Sequence, residues 1–215
     1  MLFKQNFFDE MAQAVFSHPV EICGNLRREH EFLVEESKYE GEEKDGRVLC
    51  TIHEKEKTPF LYHTHPISSK AYPSIEDIVT VVKKREAIPS YTSILFTIWG
   101  VWIMMPKKSI KVSDAQMNEW KEIFRKTTTE FYWAQRNDDP TESKSKMYSP
   151  FIQEQINQFI RIVEHLLGEY VSIRFIEWGQ LEQIKDYYKL GNKSRKRSKR
   201  TKKSTKKSTR CKDWL

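Results

Sequence analysis

Cysteine is scarce and scattered in this chain. Cys23, Cys50 and Cys211 form no Cys-x-x-Cys pair and no even set, which excludes a disulfide-built scaffold. Buried free thiols in a reducing, intracellular setting, cytoplasmic or nuclear, are the expectation, and a Cys23–Cys50 bond is open only if their strands are adjacent. No apolar run reaches the roughly 18–20 residues that a membrane span requires, so no membrane partner is expected. The first residues lack a basic segment followed by an apolar stretch, and no secretory signal is expected. No internal repeat is visible. Two zinc signatures are also missing: there is no His-Glu-x-x-His helix, and no His-x-Glu followed by Pro-Cys-x-x-Cys as in the zinc deaminases.

What is present suits a folded enzyme-sized unit. A hydrophobic fraction of 38% with 13% aromatics is enough for a core, and 215 residues fit one globular domain with additions. The net charge of +7 hides an asymmetry. Residues 191–215 hold 12 of the 37 basic residues and one of the 30 acidic ones, so the tail is strongly cationic and the remainder mildly acidic. That tail is Lys, Arg, Ser and Thr with almost nothing apolar and is expected to be disordered. It is either a plain solvated end or an arm for nucleic acid or another polyanion, or for nuclear localisation. Its serines and threonines offer phosphorylation sites that would weaken its charge. The expected organisation is a domain over residues 1–180, a connecting segment over 181–190 and the tail over 191–215.

Hydrophobic periodicity outlines the domain. Phe3, Phe7, Met11, Ala14 and Val15 recur at helical spacing, closed by His18-Pro19. Short strand-like runs follow near 20–27, 31–36, 47–53 and 60–65, with the charged segment from Glu40 to Arg47 as a hairpin loop. Ile75, Ile78, Val79 and Val82 form one helical face, and two strands split at Trp99-Gly100 form a buried hairpin. Asp114 is placed to cap a helix bearing Met117, Trp120, Phe124 and Phe131. A polar linker over about 136–149 precedes a helix from Ile152 to Leu167, stopped by Gly168, and Val171 to Trp178 reads as a last strand. Strands interrupted by helices argue for an α/β or α+β sandwich with the late helices packed on the sheet.

The chemistry concentrates in two short segments. In a strand, alternate side chains share a face, so His63 and His65 of His63-Thr64-His65-Pro66 project the same way. Pro66 ends that strand, and Ser74 stands where a helix begins, with Asp77 one turn in. Two imidazoles and a carboxylate are the three-ligand complement of a catalytic zinc that keeps its fourth position open. Ser74-x-x-Asp77 is equally a capping box, and the two readings are compatible, because a stiff first turn holds Asp77 in place. Glu21, between Val20 and Ile22, is a charged residue in an apolar strand, costly without a partner, and is the candidate base. His18, His30, His53 and His165 have no convincing partners in the sequence.

A Glu on an early strand, then His-(Ser/Thr)-His-Pro, then Ser-x-x-Asp resembles the JAMM, or MPN-plus, metalloproteases. Glu21-Ile22-Cys23-Gly24-Asn25-Leu26 is similar to the Glu-x-Cys-Gly-x-Leu strand of the AMSH-type ubiquitin-chain isopeptidases. The resemblance implies Zn2+ on His63, His65 and Asp77, Glu21 as general base and Ser74 as oxyanion donor. It also implies a JAB/MPN fold, a curved mixed sheet flanked by helices and broadly like the cytidine deaminase fold. The implied reaction is cleavage of the isopeptide bond between the C-terminus of ubiquitin, or a ubiquitin-like protein, and a lysine. A non-catalytic MPN scaffold, tethered to nucleic acid or an acidic partner by the tail, is the other reading. Eleven residues separate His65 from Asp77 where the family has ten, which leaves Glu76 as the neighbour able to replace Asp77. No Cys and His cluster follows Asp77, so the second, structural zinc of AMSH-like relatives is not expected. The strand edge from Val48 to Phe60 and the linker over 136–149 are the expected substrate groove and flap.

Overall fold

A computed structural model describes residues 2–3, 5–44, 47–49, 58–67, 69–108, 113–137 and 150–178. Apolar alternation and helical periodicity resolve into nine strands and four helices among them. The strands are β1 (Leu2–Phe3), β2 (Ile22–Glu29), β3 (Phe32–Glu40), β4 (Glu42–Lys44), β5 (Arg47–Leu49), β6 (Phe60–Thr64), β7 (Thr92–Thr97), β8 (Gly100–Pro106) and β9 (Val171–Glu177). The helices are α1 (Gln5–Ser17), α2 (Ile75–Lys84), α3 (Asp114–Asn137) and α4 (Pro150–Leu167). Seven strands form one mixed sheet in the order β1-β3-β2-β6-β7-β8-β9, and β4 and β5 make a separate two-stranded ribbon. Thus the charged segment expected as a hairpin loop is itself a short hairpin.

Most neighbours run antiparallel; β1 and β3 are parallel, as are β6 and β7, because α2 carries the chain from the end of β6 back to the start of β7. The hairpin joining β7 to β8 turns at Gly100, whose φ of 153° L side chains rarely adopt. A Cβ there would also lie 2.4 Å from the Ile176 carbonyl oxygen on β9.

Two hydrophobic cores cover the two sheet faces. On one, the buried stripe Phe7, Phe8, Met11, Ala14 and Val15 of α1 packs on Tyr62, Ile94, Phe96, Val101 and Ile103. On the other, Ile75, Ile78, Val79 and Val82 of α2 and Ile156, Phe159 and Val163 of α4 pack on Leu95, Trp102 and Met104. Phe124 of α3 joins this second core edge-on to Phe159, at 6.0 Å between ring centres. The architecture is therefore a mixed sheet flanked by helices. Among the described residues no helix is long and apolar enough to cross a membrane.

Two expectations need correction. Ser113, not Asp114, caps α3: its hydroxyl accepts the Gln116 N–H at 3.2 Å, and the Gln116 side chain accepts from the Ser113 N–H at 3.2 Å. Serine and glutamine three apart satisfy two end groups at once, whereas Asp114 enters the first turn, where its charge suits the helix dipole. Cys23 is buried as expected, but it is disulfide-bonded rather than a free thiol. The free-thiol case for a reducing compartment therefore fails at Cys23. Cys50 and Cys211 lie outside the described residues, as do the core of the expected groove at 50–57, the linker from 138 to 149, and the segments at 181–190 and 191–215.

Candidate metal centre

The centre forms where three elements end together. Strand alternation sends Tyr62 and Thr64 towards α1, and His63 and His65 to the α2 face. Cys23 is the cross-strand partner of His63, so two residues earlier Glu21 stands on the same face at the start of β2. The Thr64 hydroxyl, pointing the other way, accepts the Ile22 N–H at 2.8 Å and fastens the start of β2 to the end of β6. A second tie, from the Gly41 N–H to the Glu21 carbonyl at 2.7 Å, secures the other side of Glu21. Asp77 arrives from α2, whose first turn is closed by the capping box at Ser74.

The ligand atoms of His63, His65 and Asp77 all lie within 4.8 Å of one another and can hold a metal ion. Nε2 of His63 is 3.3 Å from Oδ1 of Asp77, and Nε2 of His65 is 3.7 Å from Oδ2. Bonds of about 2.0–2.1 Å at tetrahedral angles would set two ligand atoms about 3.4 Å apart, so these separations fit a small four-coordinate ion. The imidazole planes are inclined at 68° with centres 5.2 Å apart, so the rings converge without stacking. One atom tests the fit directly. Nε2 of His63 is buried and makes no well-formed hydrogen bond although Oδ1 of Asp77 faces it at 3.3 Å, which is costly for a polar atom unless something closer meets its lone pair. A metal ion would do so.

The surroundings orient each ligand. Nδ1 of His65 lies 2.9 Å from the Lys70 carbonyl oxygen, so Nδ1 carries the proton and Nε2 presents its lone pair to the centre. Oδ2 of Asp77 accepts from the Ser74 N–H at 2.7 Å and from the Ser74 hydroxyl at 2.8 Å, leaving Oδ1 turned to His63. Asp77, not its neighbour Glu76, joins the ligand group. Glu76 points away to α3, where it pairs with Lys121 at 2.8 Å.

Electrostatics follow from burial and crowding. Burial pushes the Glu21 carboxyl up to about 7; the charge of His63 opposes this and that of Asp77 adds to it. Burial also depresses His65, to about 4, against the pull of Asp77. Burial would likewise lower His63 and raise Asp77, but their mutual attraction wins, so His63 is raised and Asp77 held below the usual carboxylate range. Oε1 of Glu21 lies 3.7 Å from Nε2 of His65, close to the ligand group without belonging to it.

All five expected residues are thus brought together, with Ser74 differently employed. Its hydroxyl donates to Asp77, where it positions a ligand rather than facing an open pocket. The backbone carbonyl of Lys70 and the hydroxyl of Thr64 were not singled out from the sequence. The strand period marks Thr64 as facing away from the histidines, but a carbonyl acceptor leaves no mark in side-chain identity. A scan against protein-family profiles finds no match for the chain, and a search of the curated proteins finds none either.

Proposed function

We propose that this chain is a zinc-dependent hydrolase of amide bonds, of the JAMM type and with a JAB/MPN fold. The observation that carries the reading is the convergence of His63, His65 and Asp77 with Glu21 held beside them. His63, His65 and Asp77 would hold the ion, and two nitrogens with one oxygen suit zinc. When bound, zinc would supply Lewis-acid polarisation of the scissile carbonyl and make water more acidic at neutral pH.

The rest falls to the chain. Glu21, buried beside the ligand group, is placed to transfer a proton to and from groups held there. It takes the proton from the attacking water and returns it to the departing amine as the C–N bond breaks. Ser74 holds Asp77 through the capping box, and donates to the developing oxyanion only if its hydroxyl turns from Oδ2. The proposed substrate class is the isopeptide bond of ubiquitin or ubiquitin-like conjugates, which rests on the likeness of the Glu21–Leu26 and His63–Asp77 segments. The intact ligand group favours this enzyme reading over a binding-only scaffold. The tail of residues 191–215 is proposed separately as a contact for nucleic acid or another polyanion, on its charge alone.

The decisive experiment measures zinc per chain and cleavage of a panel of ubiquitin dimers, for the wild type and Glu21→Gln. One zinc in each, with cleavage only by the wild type, is the expected result. Full cleavage by Glu21→Gln would remove Glu21 from the chemistry, and metal-loaded protein that cleaves no dimer would remove ubiquitin as the substrate.

A further inference from the structure

Trp102 is fully buried on β8, a strand that contributes no residue to the ligand group, yet it and His65 hydrogen-bond to the carbonyls of adjacent residues in one segment. Its indole Nε1–H donates to the Ala71 carbonyl oxygen at 2.9 Å. The carbonyl one residue earlier, that of Lys70, accepts from Nδ1 of His65 at 2.9 Å. Both acceptors belong to the segment between Pro66 and Pro73, which carries the chain from the end of β6 to the cap of α2. The same segment is fastened at its start by the Ile67 N–H to the Val15 carbonyl at 2.9 Å. Ala71 and Tyr72 are buried in it, with the Tyr72 ring 5.0 Å from that of Phe159.

We propose that Trp102 is a positioning residue for the metal centre: by gripping the Ala71 carbonyl it sets the Lys70 carbonyl under His65 and so fixes which ring nitrogen faces the ion. This rests on the metal-binding reading above. The geometry explains why the donor sits there. Carbonyls in a loop point where their neighbours' bonds hold them. Trp102 lies on the same sheet face as His63, through Leu95 as the intervening cross-strand partner. A rigid side chain on β8 therefore measures out the loop against β6, which bears His63 and leads into His65. Were the ring only a core filler, its contacts with Phe159 and Phe175, at 5.2 and 4.8 Å between centres, would suffice. The indole donor makes a further bond that a phenyl ring would not.

The test is Trp102→Phe, which keeps an aromatic core and removes the donor. Partners behind a metal-bound histidine typically matter by about 10–100-fold in affinity. Acting one bond further away, Trp102→Phe is expected to weaken zinc about 10-fold in competition with a chromophoric chelator. A core variant away from that bond and that segment, Val163→Ala on α4, serves as the control: it lowers the melting temperature and leaves zinc affinity at the wild-type value. Nitrogen NMR of the metal-free protein gives a second readout, in which His65 is protonated at Nδ1 in the wild type and mixes tautomers in Trp102→Phe. Equal zinc affinity in wild type and Trp102→Phe, or equal weakening by Val163→Ala, overturns the proposal. If the wild type binds no zinc, the metal reading falls by itself, and an unchanged His65 tautomer in Trp102→Phe overturns the positioning claim independently. Should the Phe variant not fold, Trp102→3-benzothienylalanine keeps the bicyclic shape without the N–H and is read in the same two ways.

Discussion

Tyr62 and His63 are consecutive on β6, both buried, and they meet opposite fates. Tyr62 turns into the α1 face, packs edge-on against Phe7 at 5.1 Å, and passes its hydroxyl over Gly24 to Glu35. Gly24 is needed there, since a Cβ would lie 2.8 Å from the Tyr62 ring and 1.9 Å from the Ser37 carbonyl oxygen. Every polar atom of that ring is met inside the chain. His63 turns into the α2 face, where its Nε2 has no hydrogen-bond partner and Asp77 faces it at 3.3 Å. A buried polar group with a well-formed hydrogen bond holds a fold together; one that has only a facing carboxylate, set among converging ligands, is placed to take a ligand from outside. The two faces of one strand thus separate structure from chemistry.

Substitutions on either face sharpen that contrast. His63→Ala has the largest expected effect. Zinc at a thousandfold excess over its Kd stabilises a binding-competent protein by about 4 kcal/mol, and this rise should vanish in the variant when melting is followed with and without metal. A zinc-induced rise of wild-type size in His63→Ala would break the comparison. On the opposite face, Phe7→Ala removes a ring packed against Phe3, Tyr62 and Phe96 and should cost about 3–5 kcal/mol in denaturant unfolding. Zinc affinity of the folded fraction should stay unchanged, since the loss lies wholly on the α1 side. Tyr62→Phe is a smaller cut on that side, expected to cost about 1 kcal/mol through its bond to Glu35, again with no change in metal affinity.

The smallest effect is in pH. Glu21 in the folded, metal-free protein is raised to about 7 from an ordinary value of 4.5, mainly by burial, so the fold disfavours its ionised form. The folded state then holds more protons than the unfolded one between those values, and Glu21 makes stability fall as pH rises through that window. Metal-free Glu21→Gln should accordingly melt above wild type at pH 8 and level with it at pH 4. His65, lowered to about 4 by burial, acts in the opposite sense: its contribution is lost as pH falls from its ordinary 6.5 through 4. The Glu21 effect is therefore read as a difference between the two proteins, in which the His65 contribution is common. A variant that melts below wild type at pH 8 would show that Glu21 is stabilising where it sits.

Much of the fold was legible because it rests on period. The stripe of Phe3, Phe7, Met11, Ala14 and Val15 marked α1, although Phe3 itself lies in β1; the run from Ile75 to Val82 marked α2, and alternation put His63 and His65 on one face. The site was legible because its ligands fall in two local segments, each with its own geometry. The α3 cap was misplaced by one residue because Ser113 and Asp114 are both good capping residues, and the reciprocal bond with Gln116 decides between them. A disulfide at Cys23 was left open in the sequence with free thiols favoured, because bonding depends on which strands become neighbours and sequence spacing does not report that.

The chain's residues by themselves determined the elements and the inventory of the centre: two imidazoles, one capped carboxylate and one apolar-flanked glutamate. Tertiary structure alone decided between Asp77 and Glu76, by turning Glu76 to Lys121, and assigned the Ser74 hydroxyl to Asp77. It alone brought the Lys70 and Ala71 carbonyls between His65 and Trp102. The physical reason is that periodicity is a local property carried by side-chain type. The aim of a ligand depends on backbone groups that every residue shares, and these acquire direction only when distant segments pack.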